Sequence, residues 1–283
     1  MEKRINLLNK GSDYLAQRGI GNALGESEML LAYILNCTRV ELYLDNLAVK
    51  EQSLQCFQNL LSRRAEGFPL QYLLGSVEFM GYTFKTRPGV FIPRPETEIL
   101  VETVLNILTN GATILDLGTG CGNIAISIAR GLKQADVFAC DISDFALQLV
   151  QENTSFNKAN IKIVSSNLFS GFKKEKTFSL IVSNPPYIKK DDLSRLAREL
   201  SFEHSLALDG GKDGLCYYRQ IVQQAPDYLR PDGMLAFELG DGQAEAVKEI
   251  FAQSGGFSLI KLVRDYNDRE RVIVARKVEN NNG

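Results

Sequence analysis

The sequence predicts an α/β protein in which a mostly parallel, seven-stranded sheet follows a small all-helical domain. Two observations carry this prediction: apolar residues recur at helical spacing up to about residue 66, and from residue 113 short apolar strands alternate with helical stretches. Such alternation is typical of a parallel sheet with helices on both faces. We therefore expect a helical domain over residues 1–70, a hairpin-like linker over 71–91 and the α/β domain over 92–283.

The predicted helical domain is electrically neutral. Its apolar stripes fall within residues 7–15, 29–34 and 54–61, and their spacing of three to four residues predicts amphipathic helices. Residues 1–75 carry eight Lys or Arg and eight Asp or Glu side chains, and the whole chain has a formal net charge of −2. Proteins that hold a phosphate backbone normally show a surplus of positive charge. We therefore expect no direct contact with nucleic acid.

The linker is expected to contain strands at residues 71–75 and 82–84, with Met80 and Gly81 in a turn between them. Residues 92–98 follow with two prolines, which hold the chain extended. Two glutamates in this segment suit the first turn of a helix, where the helix dipole favours negative charge. Beyond it, seven short apolar segments predict the strands of the sheet: residues 113–117, 136–140, 161–164, 178–183, 234–239, 257–263 and 271–275.

A glycine-rich loop follows the first strand of this sheet and precedes an apolar helix. Glycines there let a ligand approach the backbone, and the helix start offers free N–H groups. The dinucleotide-binding fingerprint fails, because Asn123 stands where its third glycine belongs. Asp116, just before the loop, would repel a pyrophosphate but suits a ligand with an ammonium and a sulfonium. The loop residues are Gly118, Thr119, Gly120, Cys121 and Gly122.

A second carboxylate, Asp141, ends the second strand, 21 residues after Gly120. An acidic residue at that place can accept hydrogen bonds from both ribose hydroxyls of a nucleoside. Together with Asp116 and the glycine loop, it predicts S-adenosylmethionine as the ligand. Another nucleotide, or a purely structural turn, is the alternative.

The fourth strand ends at Asn184-Pro185-Pro186-Tyr187. Ligands of doubly wound sheets bind at the carboxyl ends of strands where the strand order reverses, so we expect this loop beside the glycine loop. The Asn184 side-chain oxygen and the Pro185 carbonyl can each accept an N–H from a planar amide or aromatic amine. Prolines fix these acceptors, and Tyr187 offers a flat face. The pattern predicts methyl transfer to such a nitrogen, although turns built on Asn-Pro and Pro-Pro are also common in structural roles.

Other functional classes find little support in the sequence. The five cysteines and the single histidine form no metal-ligand pattern, so we expect no metal. We expect His204 to be a surface or packing residue rather than a base. Neither a signal-peptide core nor an apolar run of about 20 residues is present, which predicts a cytoplasmic protein without membrane contact.

Residues 116–122 and 184–187 resemble the cofactor-binding and amine-binding motifs of class I amino-methyltransferases. Nearly the whole chain, including the helical domain, is similar to the bacterial release factor glutamine methyltransferases. The longer strings that carry this resemblance are residues 69–75, 92–98, 207–215 and 238–240.

The resemblance implies a Rossmann-like class I methyltransferase domain that converts S-adenosylmethionine to S-adenosylhomocysteine. The implied substrate is the side-chain amide of the glutamine in the Gly-Gly-Gln motif of translation release factors. Gly118 to Gly122 and Asp141 would contact the cofactor, Asn184 to Tyr187 would hold the glutamine, and Asn184 would touch both. The family has Asp-Trp or Asp-Leu near the adenine where this chain has Asn167-Leu168, whose uncharged amide can still accept from the adenine amine.

Two alternatives remain at this stage. An enzyme that methylates adenine in DNA or RNA could use the same loop, but it must flip its base and hold a phosphate backbone, which the neutral charge disfavours. A non-enzymatic docking module with a vestigial pocket is disfavoured by the intact Asp116, Asp141 and Asn184. The chemistry does not need the separate helical domain, so we expect that domain to dock the protein substrate.

Overall fold

The computed structural model describes residues 2–45, 47–175 and 177–278. The chain forms two compact units, Met1–Ser76 with Ala197–Phe202 and Val77–Leu196 with Glu203–Gly283. The first unit thus extends past the expected boundary at residue 70 and takes in a distant segment that no sequence pattern marked. Within the described ranges, no helix combines the length and apolar character needed to cross a membrane.

The first unit is built from helices around a single apolar core. The three predicted apolar stripes lie on α1, α2 and α4, and this prediction is confirmed. Leu8, Leu30 and Phe57, one from each of these helices, are almost completely buried together. Packing of these faces, rather than helix propensity, stabilises helices of this length. The helices are α1 (Arg4–Ala16), α2 (Ala23–Leu35), α3 (Arg39–Leu44), α4 (Glu51–Ala65) and α5 (Leu70–Leu74).

Helix α3 was missed by sequence reasoning although a local signal marks its start. The Thr38 hydroxyl accepts from the Glu41 backbone N–H, and the Glu41 carboxylate accepts from the Thr38 N–H at 2.7 Å. This capping box satisfies two backbone donors that a helix start otherwise leaves without partners. A threonine three residues before a glutamate is the corresponding sequence signature.

The expectation of a strand at residues 71–75 is wrong, because this segment forms α5. Pro69 precedes the helix, where its missing N–H costs nothing, and Gly75 ends it in the left-handed conformation, with φ of 73°. Leu70 and Leu73, three residues apart, bury the same face in the core of the first unit. The continuous apolar run therefore belongs to one helical turn rather than to an extended strand.

A β-hairpin follows, formed by β1 (Ser76–Phe79) and β2 (Tyr82–Lys85). Met80 and Gly81 form its turn, as predicted, with φ of 52° and 74°. Positive φ at both central residues is what two-residue hairpin loops favour, because it matches the twist of the strands. Phe79 and Phe84 pack edge to face at 5.9 Å in the core of the second unit.

The second unit has the predicted seven-stranded sheet, in the order β5-β4-β3-β6-β7-β9-β8. The first five strands are parallel, and β9 runs antiparallel to both β7 and β8. Helix α6 begins at Pro95 with two glutamates in its first turn, as expected. The elements are α6 (Pro95–Ile107), β3 (Thr113–Leu117), α7 (Asn123–Gly131), β4 (Asp136–Asp141), α8 (Asp144–Phe156), β5 (Ile161–Ser165), β6 (Phe178–Ser183), α9 (Cys216–Gln224), β7 (Leu229–Glu238), α10 (Ala244–Ser254), β8 (Phe257–Arg264) and β9 (Glu270–Lys277).

Both faces of the sheet are covered by helices. Alternate residues of β3 point to opposite faces, so that Leu115 and Leu117 pack with α9 and α10 while Ile114 packs with α6 and α7. A strand buried on both faces has no polar side and is apolar throughout. Asp116 is the charged exception in β3.

The strand order reverses between β3 and β6. From β3 the chain adds β4 and β5 on one side, then crosses to add β6 and β7 on the other. Leu117 and Ser183, the last residues of β3 and β6, are register partners, and the Ser183 hydroxyl donates to the Leu117 carbonyl at 2.7 Å. The loops that follow these strands therefore leave the sheet side by side, which confirms the expected neighbourhood.

The segment 197–202 is held within the first unit by charge and by aromatic packing. Arg64, only 3% exposed, donates to Glu26 and, at 2.5 Å, to Glu199. Burial alone would lower the pKa of Arg64, but these hydrogen bonds and charges raise it. Phe68 and Phe202 meet edge to face at 5.0 Å. Sequence patterns miss such contacts because their partners lie far apart along the chain.

Candidate active site

The glycine loop runs from the end of β3 to the start of α7. Its backbone is held by β4, because the N–H groups of Gly118 and Thr119 both donate to the Cys140 carbonyl, at 3.0 and 2.9 Å. Gly122 is the N-cap of α7 and has φ of 87°. The loop thus leads into the start of α7, where the helix dipole favours an electron-rich ligand group.

Asp116 lies under this loop and is completely buried. Its Oδ2 accepts from the Thr119 hydroxyl at 2.6 Å and from the Ala125 N–H at 3.2 Å. Its Oδ1 is buried and has no hydrogen-bond partner among the described residues. Burial raises the pKa of Asp116 to about 7, and the nearby charge of Asp141 adds to the rise, against the two hydrogen bonds. A positively charged ligand group would give Oδ1 a hydrogen-bond donor and would lower the pKa of Asp116.

Asp141 ends β4 and connects the glycine loop to the next helix. Its Oδ2 accepts from the Gly120 N–H, and its Oδ1 accepts from the Ser143 N–H, both at 2.9 Å. A carboxylate has about four acceptor positions, so both oxygens can still accept from a ligand. Asp141 is half-buried at the mouth of the loop.

Asn167 and Leu168 follow β5, the strand next to β4. Their placement beside Asp141 follows from the register, in which Asp141 pairs with Ser165. Leu168 has φ of 50°, and its carbonyl accepts from the Ser166 hydroxyl at 2.7 Å. The Asn167 side chain is exposed, while Leu168 packs against the core. The pair can therefore offer one polar group and one apolar group to a ligand held at β4.

The loop 184–187 leaves β6 beside the glycine loop. Asn184 is half-buried, and its side-chain nitrogen donates to the Thr97 hydroxyl at 3.2 Å. Pro185 is buried. The Tyr187 carbonyl accepts from the Gln243 side chain at 2.9 Å. Burial and the charge of Glu238 raise the pKa of Tyr187, so its hydroxyl stays protonated.

Three residues of this site were missed by sequence reasoning: Thr97 on α6, Glu238 at the end of β7 and Gln243 before α10. Glu238 is 1% exposed and accepts from the Thr97 hydroxyl at 2.6 Å. Burial raises the pKa of Glu238 to about 7. The available signal was a carboxylate that directly follows the apolar residues 234–237 at the end of a parallel strand.

Other candidate groups lie outside this arrangement. His204 is exposed, and its Nδ1 accepts from the Leu206 N–H at 3.2 Å, as a surface residue at the start of a short helical turn. Burial raises the pKa of the Cys121 thiol to about 12, which keeps it neutral. Across the described ranges, no three His, Cys, Asp or Glu residues are grouped as metal ligands.

Comparison with known proteins identifies the family. Residues 6–75 match the model of the PrmC N-terminal domain, and residues 81–211 match that of the methyltransferase small domain. A release factor glutamine methyltransferase of Fusobacterium nucleatum is 39% identical over 98% of this chain and 79% of its own. One of Geobacter sulfurreducens is 42% identical over 93% of each chain. The chain belongs to the release factor glutamine methyltransferase family.

This family membership confirms the predicted family and enzyme class: the chain is a methyltransferase with a Rossmann-like class I domain. A solved methyltransferase from Pyrococcus furiosus shares this fold. Its TM-score is 0.54 at 22% identity, over 69% of this chain and 89% of its own. At that identity the likeness concerns the fold alone.

Gly122 is a position in the glycine loop where a side chain meets steric resistance. A Cβ there would lie 2.5 Å from Cγ2 of Val150, whereas no described atom lies within 4 Å of a Cβ on Gly118, whose φ is 71°. We expect Gly118→Ala to cost about 1–2 kcal/mol of left-handed backbone strain. Gly122→Ala adds the clash and should lower the melting temperature further. Equal shifts in thermal unfolding of the two variants would contradict this.

Proposed function

We propose that this chain transfers the methyl group of S-adenosylmethionine to the side-chain amide nitrogen of the glutamine in the Gly-Gly-Gln motif of translation release factors. Family membership supports the substrate class. The observation that carries the chemistry is Asn184, whose nitrogen donates to Thr97 and whose oxygen is thereby the group left for a substrate N–H. Because the substrate is a translation factor, we also propose that the reaction takes place in the cytoplasm.

The cofactor is proposed to lie across the glycine loop. The buried Asp116 Oδ1, which has no donor among the described residues, fits the ammonium of S-adenosylmethionine. Asp141 fits the ribose hydroxyls, and Asn167 with Leu168 fits the adenine. The glycines of the loop have no side chains and therefore let the ligand approach the backbone closely. The loop residues in this role are Gly118, Thr119, Gly120, Cys121 and Gly122.

The substrate nitrogen is a poor nucleophile, because its lone pair is delocalised into the amide. When bound, S-adenosylmethionine supplies an electrophilic methyl group on a positively charged sulfur. The Asn184 oxygen and the Pro185 carbonyl each accept one N–H of the glutamine, which aligns the nitrogen and stabilises the positive charge that develops there. Pro185 and Pro186 keep the acceptors rigid. The Tyr187 ring packs on the planar amide, and the Gln243 side chain holds the Tyr187 backbone through its carbonyl.

Mass spectrometry of a release factor incubated with the protein and S-adenosylmethionine tests the assignment directly. We expect one added methyl group, on the glutamine of the Gly-Gly-Gln peptide.

Asn184→Ala should lower turnover by roughly 10²–10³-fold, because one preorganised acceptor is lost, while cofactor affinity changes far less. Circular dichroism controls for folding. Near-normal turnover of the variant would remove Asn184 from the mechanism, and methylation of an adenine oligonucleotide with release factor untouched would overturn the substrate.

The role of Asp141 is separable from that of Asn184. Asp141→Ala should weaken cofactor binding by on the order of 1.5–3 kcal/mol, because a charged acceptor of the ribose is lost. Asp144, exposed in the first turn of α8, is the matched control, and Asp144→Ala should leave the affinity unchanged. Titration calorimetry measures both. An unchanged affinity for Asp141→Ala would exclude it from the cofactor site.

The helical unit is proposed to contact the release factor away from the reacting amide. Val40, Tyr43 and Leu44 share one face of α3 and are 66%, 48% and 74% exposed. Exposed apolar groups that cluster in this way mark sites of protein contact. A glutamine flanked by glycines offers few side-chain contacts, so binding energy from such a remote surface can serve to orient the amide.

Surface substitution tests this docking role. Val40→Asp with Leu44→Asp should lower kcat/KM on intact release factor by roughly tenfold or more, as for loss of a central interface residue. Activity on a short Gly-Gly-Gln peptide should not change, because the peptide lacks the remaining release factor surface that would contact α3. Leu24→Asp, at another exposed leucine on α2, is the matched control. Equal losses on both substrates, or none on intact release factor, would argue against docking through α3.

A further inference from the structure

Three side chains from separate elements form a hydrogen-bonded chain behind the substrate motif. The Asn184 nitrogen donates to the Thr97 hydroxyl at 3.2 Å, and that hydroxyl donates to the Glu238 carboxylate at 2.6 Å. Thr97 and Glu238 are each 1% exposed, so water cannot substitute freely for either bond. Asn184 alone belongs to the motif that the proposed function uses.

The number of available hydrogens fixes the direction of the hydrogen bonds that join Asn184, Thr97 and Glu238. A threonine hydroxyl has one hydrogen, and when Glu238 is ionised this hydrogen is committed to its carboxylate. The Thr97 oxygen can therefore only accept from its other neighbour, which must be the NH2 group of Asn184. If the carboxamide were flipped, its oxygen would face an oxygen with no hydrogen to give, and such a mismatch between two acceptors is unfavourable.

We propose that Thr97 and Glu238 are positioning residues that hold the Asn184 carboxamide with its oxygen toward the substrate nitrogen. This inference rests on the proposed function, in which that oxygen is the acceptor. Neither residue needs to touch the substrate or the cofactor. A flipped carboxamide would present an NH2 group to the substrate NH2 group, two donors that repel each other.

The surroundings of Glu238 bring its protonation equilibrium close to neutral pH. Burial raises its pKa to about 7, the Glu96 charge on α6 acts in the same direction, and Arg271 on β9 opposes them. The hydrogen bonds from Thr97 and Asn184 also favour the charged form. The titratable and polar groups around Glu238 are Glu96 and Thr97 from α6, Asn184 and Tyr187 from the loop after β6, Tyr218 from α9 and Arg271 from β9.

Protonation of Glu238 removes the constraint on the orientation of the Asn184 carboxamide. A protonated carboxyl can donate to the Thr97 oxygen, which releases the threonine hydrogen to donate to Asn184. The flipped carboxamide then has a partner, and the acceptor is no longer fixed. Because the ionised form is the active one, kcat should rise with pH through the pKa of Glu238 and level off above it.

Removal of the Thr97 hydroxyl tests the role of these hydrogen bonds. Thr97→Val keeps the shape of the side chain and should lower kcat on release factor by roughly tenfold or more, as outer partners of functional groups do, with cofactor affinity unchanged. Thr97→Ser restores the hydroxyl and should recover most of the rate. Thr103→Val makes the same change at another buried threonine of α6 and is the matched control. Mass spectrometry measures kcat, and calorimetry measures cofactor affinity.

The pH profile separates positioning from a structural role. At saturating cofactor and release factor, the wild-type protein should show an acid limb that Glu238→Gln abolishes, because the introduced amide does not titrate. Following kcat rather than kcat/KM avoids the free cofactor site, where burial also raises the pKa of Asp116 to about 7. In the Asn184→Ala background, Thr97→Val should add no further loss, because the group it positions is absent.

The inference and the proposed function fail in different ways. If wild-type protein methylates release factor and Asn184→Ala does not, but Thr97→Val keeps its rate, the positioning role is wrong and the function stands. An acid limb that persists unchanged in Glu238→Gln overturns the role of the carboxylate, even if Thr97→Val does not fold. A wild-type protein that leaves the release factor glutamine unmodified overturns the proposed function itself.

Discussion

The parallel pairing of β3 with β6 determines where the chemistry of this protein can occur. Because Leu117 and Ser183 are register partners, the glycine loop and the loop 184–187 leave the sheet at the same edge, with no residue of either loop needed to bring them together. The apolar faces on both sides of β3 fix that pairing through burial. The sheet core therefore does the positioning, and each loop is free to be specialised for its own ligand.

Two buried carboxylates serve the two loops in the same physical way. Asp116 accepts from Thr119 and Glu238 accepts from Thr97, both at 2.6 Å, and burial raises the pKa of each carboxyl to about 7. Burying a charge is costly unless hydrogen bonds or a counter-charge compensate for it. At Asp116 one oxygen stays without a donor, which suits a cationic ligand, whereas at Glu238 the charge is used to orient a neighbour. Both carboxyls therefore lie near the ends of strands in places where burial disfavours their charged form.

The sequence predicts those features whose signals are local or periodic. Strand periodicity, the turn at Met80 and Gly81 and the start of α6 all come from short windows, and the structure has them. The helical turn at residues 71–74 was mistaken for a strand because a short apolar run has no period to distinguish the two. The bond between Thr97 and Asn184 spans 87 residues, and only the sheet order brings its ends together. Roles that depend on such bonds require the folded chain.

The segment 197–202 belongs to the helical unit, although the residues before and after it belong to the second unit. The chain leaves Tyr187, enters the first unit at Ala197 and returns at Glu203 to complete the second. A long connection without strands or α-helices has a high conformational entropy unless contacts order it. Arg64 and the ring of Phe68 supply those contacts from helices of the first unit or their flanks. These contacts within the first unit therefore order part of the connection that follows residues 184–187. Deleting that unit would remove these contacts along with any docking surface, so a truncated protein cannot separate the two roles, whereas substitutions on α3 can.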